Sequence, residues 1–156
     1  MQLSRIYQGM GEETFRRVLG AVSMGSLRTY RLFDQVKARA HLGKLNQETL
    51  RKAAPRLWAR LGEGEEELAK DLGQAVLVSH LDLIRAVLDF LGVAHRDGFF
   101  DKTGDAASKL TEGWQQRAWE EFRGRFPEPV LLFYVNHLAW ELTKEPALFL
   151  PAQTSG

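Results

Sequence analysis

Apolar residues recur three and four positions apart along most of this 156-residue chain, and almost nowhere do they alternate. That rhythm predicts helices, and strand signals are missing. The first stretch, residues 13–25, sets Phe15, Val18, Leu19 and Val22 on one face. Ser26 then suits the cap of a second helix striped with Leu27, Tyr30, Phe33 and Val36, and Gly43 suits its stop. Asn46 can cap a third, residues 47–62, with Leu50, Ala54, Leu57, Trp58 and Leu61 facing inward. Pro55 lacks an N–H and crowds the carbonyl four residues back, so this helix is expected to kink there or to begin near Ala53.

The longest signal covers residues 65–91. Leu68, Leu72, Ala75, Val76, Ser79, His80, Leu83, Ile84, Val87, Leu88 and Leu91 hold the rhythm for about seven turns. One long helix is the economical reading, closed by Gly92 and the apolar Val93. Because Leu77, Val78 and Leu81 make its middle apolar all round, it is the expected centre of the fold. Residues 106–126 carry a further stripe, with Leu110, Trp114, Ala118 and Phe122, and Asp105 suits its N-cap. Pro127 and Pro129 interrupt the chain before a last helix from residue 129. The tail, with prolines at 146 and 151, favours an extended docked segment. The expectation is an all-α, single-domain bundle of five to six helices over residues 1–150, with a disordered tail over 151–156.

Composition changes this picture little: 44% of residues are hydrophobic and 26% charged, which is the range of chains that fold around a core. Cysteine is absent, so disulfides and thiolate chemistry are excluded. No leader-like start and no uncharged span appear, so a soluble, cytoplasmic protein without a membrane partner is expected.

Charge changes the picture more. Residues 1–61 hold twelve Lys/Arg against four Asp/Glu, a balance of 12 − 4 = +8, and residues 62–156 hold nine against sixteen, 9 − 16 = −7. Such segregation favours self-association or an acidic partner. A nucleic-acid reading would use Arg28, Arg31, Lys37, Arg39, Lys44, Arg51, Lys52 and Arg56, with residues 30–61 as a candidate helix-turn-helix. Glu48 and Pro55 are poor guests on a recognition helix.

Candidate chemistry is sparse. The loop over residues 92–107 gathers His95, Asp97, Asp101 and Asp105. An EF-hand needs alternating oxygen donors, a central glycine and a closing glutamate, and a loop begun at Asp97 offers Phe99, Lys102 and Ser108 there instead. A helix-to-helix turn is the better reading, with at least one of Phe99 and Phe100 sealing the bundle. His80 lies on the inward stripe, and His137 and Glu141 stand one turn apart. With Trp114 and Tyr134 these make the candidate ligand pocket. The motifs of di-iron carboxylate proteins, metalloproteases, phosphate loops and serine hydrolases are missing. Neither cofactor, metal nor catalytic residue is expected, and the leading reading is a non-enzymatic, self-associating helical binding protein.

Overall fold

A computed structural model describes residues 2–22, 47–101, 104–143 and 146–151. The fold is all-α. Among the described residues there are seven α-helices and no strand: α1 (Leu3–Met10), α2 (Glu12–Gly20), α3 (Gln47–Gly62), α4 (Glu66–Ser79), α5 (Leu81–Leu91), α6 (Trp114–Phe122) and α7 (Glu128–Leu142), with a 3₁₀ turn at Ala106–Lys109 before α6. They fall into two compact units, residues 2–80 and the chain from residue 81 onward. The predicted second helix, with Ser26, Gly43 and Asn46, lies outside the described residues.

In the first unit, α1 packs on α2, α3 and α4, and α3 on α2 and α4. Its core joins Leu3, Ile6, Tyr7, Phe15, Leu50, Leu57, Leu61, Leu68 and Leu72, all buried. Two polar contacts fix α1 against α4. Glu66 Oε2 accepts the Ser4 N–H at 2.9 Å, bringing a carboxylate from another helix to the positive end of α1, and Tyr7 Oη donates to the Ala69 carbonyl at 3.0 Å. Burial, with Glu66's negative charge behind it, pushes the Tyr7 phenol well above its ordinary range, so it stays protonated and able to donate.

At the α3–α4 turn, Arg60 grips Glu65 with two parallel bonds, Nε to Oε2 and Nη2 to Oε1, each 2.9 Å. The Arg60 hydrogen bond holds the Glu65 carboxyl below its ordinary value, outweighing the opposing effect of desolvation, with the guanidinium charge adding a smaller push in the same direction as the bond. A depressed folded-state pKa means that the pair's contribution is present at neutral pH and is lost as pH falls through the carboxylate range. Arg60→Gln is therefore expected to lower the thermal midpoint at neutral pH, with the gap to wild type closing between about pH 5 and about pH 3. A gap unchanged across that acid range would show that the carboxylate's charge plays no part.

The long 65–91 helix is two helices. Ser79 Oγ bonds back to the Ala75 carbonyl at 2.7 Å, a contact that bends helices, and His80 leaves helical geometry at φ −134°, ψ 47°. Its Nε2 lies 2.9 Å from the carbonyl of Ala21, the residue that closes α2, and donates to it. The break spares the stripe: Leu68, Leu72, Ala75 and Val76 are buried before it, and Leu83, Ile84, Val87 and Leu88 after it. The helix buried around its whole circumference is α7 instead, where every residue from Val130 to Ala139 is buried. It begins as the prolines require, with Pro127 capping and Pro129 in the first turn, where a missing N–H costs nothing. In the second unit, α6 packs on both α5 and α7.

Other local expectations divide. Gly92 ends α5 at φ +77°, its N–H on the Asp89 carbonyl and Val93's on Leu88's, with Val93 buried. Helix α3 runs unbroken through Pro55, so a start near Ala53 is ruled out. Asp105 precedes only the 3₁₀ turn and makes no side-chain cap, because α6 does not begin until Trp114. Asp97-Gly98 forms a tight turn at φ +52° and +90°, closed by paired bonds between Arg96 and Phe99. That turn points Phe99 outward, 72% exposed, while Phe100 is half-buried.

Candidate functional site

The second unit holds a groove of about 540 Å³. One wall is the 3₁₀ turn and the start of α6, with Ala107, Leu110 and Trp114; the other is the end of α7 and the tail, with Ala139, Leu142, Pro146 and Ala147. Thr111, Glu112, Gln115 and Thr143 add polar groups. Gly113, in left-handed geometry at φ +79°, lets the chain turn sharply into α6 and presents this corner. Arg117 then reaches back, donating to the Glu112 carbonyl at 2.7 Å and to Thr111 Oγ1 at 2.6 Å. Gln115 Nε2 donates to the Val135 carbonyl of α7 at 3.2 Å. These bonds tie the corner to the first turn of α6 and to α7. Glu112 is the one ionisable side chain in the described lining, so the groove supplies no acid–base pair.

Of the pocket candidates, Trp114 lines this groove. Tyr134, His137 and Glu141 do not; they share another face of α7 at i, i+3 and i+7. His137 Nδ1 lies 2.7 Å from Glu141 Oε1, with both side chains at most 10% exposed, yet the approach is off the line a hydrogen bond needs. The His137 ring also lies between Phe133 and Trp140, at 5.5 and 5.4 Å. Tyr134 Oη is buried and meets no acceptor among the described residues, and burial, then Glu141's charge, pushes its pKa far up. Its hydroxyl stays protonated at any working pH. Tyr134→Phe is accordingly expected to be neutral or to stabilise by about 1 kcal/mol, read from the urea midpoint. A loss of that size would instead reveal a partner for the hydroxyl.

His80 belongs to the first unit and is half-buried, its Nε2 engaged by Ala21. Among the described residues no three His, Asp or Glu side chains converge to hold a metal. The acidic loop resolves into structure: His95 Nε2 donates to Asp89 Oδ1 at 2.7 Å while its Nδ1 accepts the Gly98 N–H at 3.1 Å. Arg51, Lys52 and Arg56 are exposed along α3. Arg28, Arg31, Lys37, Arg39 and Lys44 lie outside the described residues.

Periodicity does not find the groove, because Leu110, Ala139 and Leu142 look like ordinary core positions. Asn136 was equally silent, although an amide inside the run from Val130 to Trp140 is a signal that could have been read.

Fold and site thus define the class: an all-α protein of two compact helical units, with a groove in the second. Comparison with known protein families, with curated proteins and with solved structures gives no match. None of the helices described is long and apolar enough to cross a membrane.

Proposed function

We propose that this is a binding protein without catalytic machinery, and that its recognition surface is the groove between α6 and α7. The groove carries the reading: its volume is within the range of small-ligand sites, and its walls set apolar side chains such as Leu110, Trp114 and Leu142 beside the polar groups of Thr111, Glu112, Gln115 and Thr143. What suits it is a compact amphipathic group, with one apolar face and several hydrogen-bonding atoms. Titration of the ¹⁵N-labelled full chain with small aromatic and aliphatic compounds tests this. Shifts are expected at Thr111, Gln115, Ala147 and the Trp114 indole; no shifts, or shifts confined to other residues, would overturn it.

A second reading, binding of nucleic acid, is favoured by the exposed basic trio Arg51, Lys52 and Arg56 on α3 and by the +8 balance of residues 1–61 (12 − 4). Such binding would weaken steeply with salt. A gel shift that finds none at about 50 mM salt removes it.

A further inference from the structure

Asn136 is a fully buried amide on α7. Its Nδ2 donates both to the Leu132 carbonyl one turn back, at 3.0 Å, and to the Phe149 carbonyl, at 3.0 Å. Its Oδ1 accepts the Phe149 N–H at 2.7 Å. One residue's N–H and C=O are thus both taken by one amide, as a neighbouring residue takes them in an antiparallel ladder. Asn136 imitates a peptide unit and reads backbone rather than side chain. Being buried, it is satisfied only when an extended residue with a free N–H lies opposite.

The segment that supplies this residue is lightly held. Pro146, Leu148, Phe149 and Pro151 are half-buried, Ala147 is exposed, and Leu150 is 55% exposed. Pro146 and Pro151 fix φ at either end and offer no N–H, so the segment is extended before it docks. A wholly buried receptor group therefore faces a ligand segment that lies half outside, and such segments open at low cost.

We propose that Asn136 is the seat of a backbone-reading peptide site, and that residues 146–151 of a second copy of this chain occupy it by exchange with the chain's own tail. The second copy is the occupant the contacts favour, because it offers the same residues in the same pairing. Every bond given up within one chain is regained between two. The balance is then set by concentration: a tethered tail competes at an effective concentration on the order of 1 mM, so the intact chain keeps its own tail in dilute solution. The exchanged segment carries Pro146 and Ala147 of the groove wall, yet the two readings fail separately: the Asn136 amide reports the seat with no small ligand present, and the Trp114 indole reports a small ligand in the groove of the intact chain.

Complementation tests it. Asn136→Leu destroys the seat and frees an intact tail; Phe149→Pro removes the N–H that the seat reads and leaves the seat open. Each full-length variant is expected to sediment as a monomer. Mixed equally, they should form a one-to-one heterodimer, with the Asn136 side-chain amide resonances of the F149P chain returning to wild-type positions. Two folded variants that stay apart when mixed at about 1 mM would overturn the exchange. A F149P chain that unfolds would also overturn it, since the tail would then be part of the core. Should N136L not fold, the capped hexapeptide Pro-Ala-Leu-Phe-Leu-Pro supplies the tail. It should bind F149P at least about tenfold more tightly than wild type, where the tethered tail competes. Equal binding to both, or none to F149P, counts against the seat.

Discussion

Phe15→Ala is expected to remove about 3–5 kcal/mol of stability, the range for deleting a buried aromatic ring. Phe15 has no exposed surface; its ring meets Tyr7 edge-on at 5.8 Å and lies tilted on Trp58 at 5.4 Å. Through those contacts α2 is joined to α1 and α3, so the cavity would open where three helices meet and could not collapse without moving one of them. Since a domain's whole margin is about 5–15 kcal/mol, the variant should melt at a far lower urea concentration. Phe99→Ala is the control. With Phe99 72% exposed, it should change stability by less than about 0.5 kcal/mol. Similar midpoints for the two variants would contradict the packing of α2 described above.

The second large effect is expected at Gly98. Its φ of +90° is unfavourable for any L side chain, and an added Cβ would lie 3.1 Å from Ile84 Cγ2. Ile84 is buried on α5, so its methyl has little room to yield. Gly98→Ala combines backbone strain with this contact, and a loss of about 2–3 kcal/mol is expected. Gly92 separates the two causes. It has φ +77° but open space where a Cβ would stand, so Gly92→Ala should show the strain alone, about 1–2 kcal/mol. If Gly92→Ala proved the more costly, contact with Ile84 would not be what holds the turn. The loss at Gly98 should also free the amide that His95 Nδ1 accepts, which hydrogen exchange at Gly98 would register.

The acidic loop shows why sequence reads turns better than sites. Asp97-Gly98 is a strong turn dipeptide because its two residues tolerate positive φ, and the structure uses it so. Without strands on either side it closes only an isolated bridge between Arg96 and Phe99. The direction of Phe99 follows from that closure rather than from hydrophobicity: of the two aromatics, at least one of which is expected to seal the bundle, Phe99 faces water and Phe100 is half-buried. Helix α1 carries its signal in only eight residues: Leu3, Ile6, Tyr7 and Met10 keep the helical spacing and are all buried, but two turns are too short to stand out beside the longer runs.

His80 marks where local pattern stops being sufficient. Its place on the inward stripe of residues 65–91 was legible, and the stripe is buried on both sides of it. The break was not, since a one-residue interruption leaves the apolar phase nearly unchanged. At the break the His80 ring meets a carbonyl 59 residues earlier, at Ala21, a partner that local pattern does not show. The candidate pocket divides for the same reason. Tyr134, His137 and Glu141 share a face because helical spacing alone puts them there; whether Trp114 joins them depends on how α6 lies against α7, and it faces the groove instead.

By itself, then, the sequence determined the helical class, the inward stripes of the helices described, the stop at Gly92 and a proline-bounded tail outside any helix, because each depends on residues within a few turns of one another. Tertiary structure decided the rest: the break at His80, the groove between α6 and α7, and the seat that Asn136 makes for Phe149. Each of these needs partners that periodicity cannot bring together, and a buried polar atom takes whichever partner the packing brings within reach.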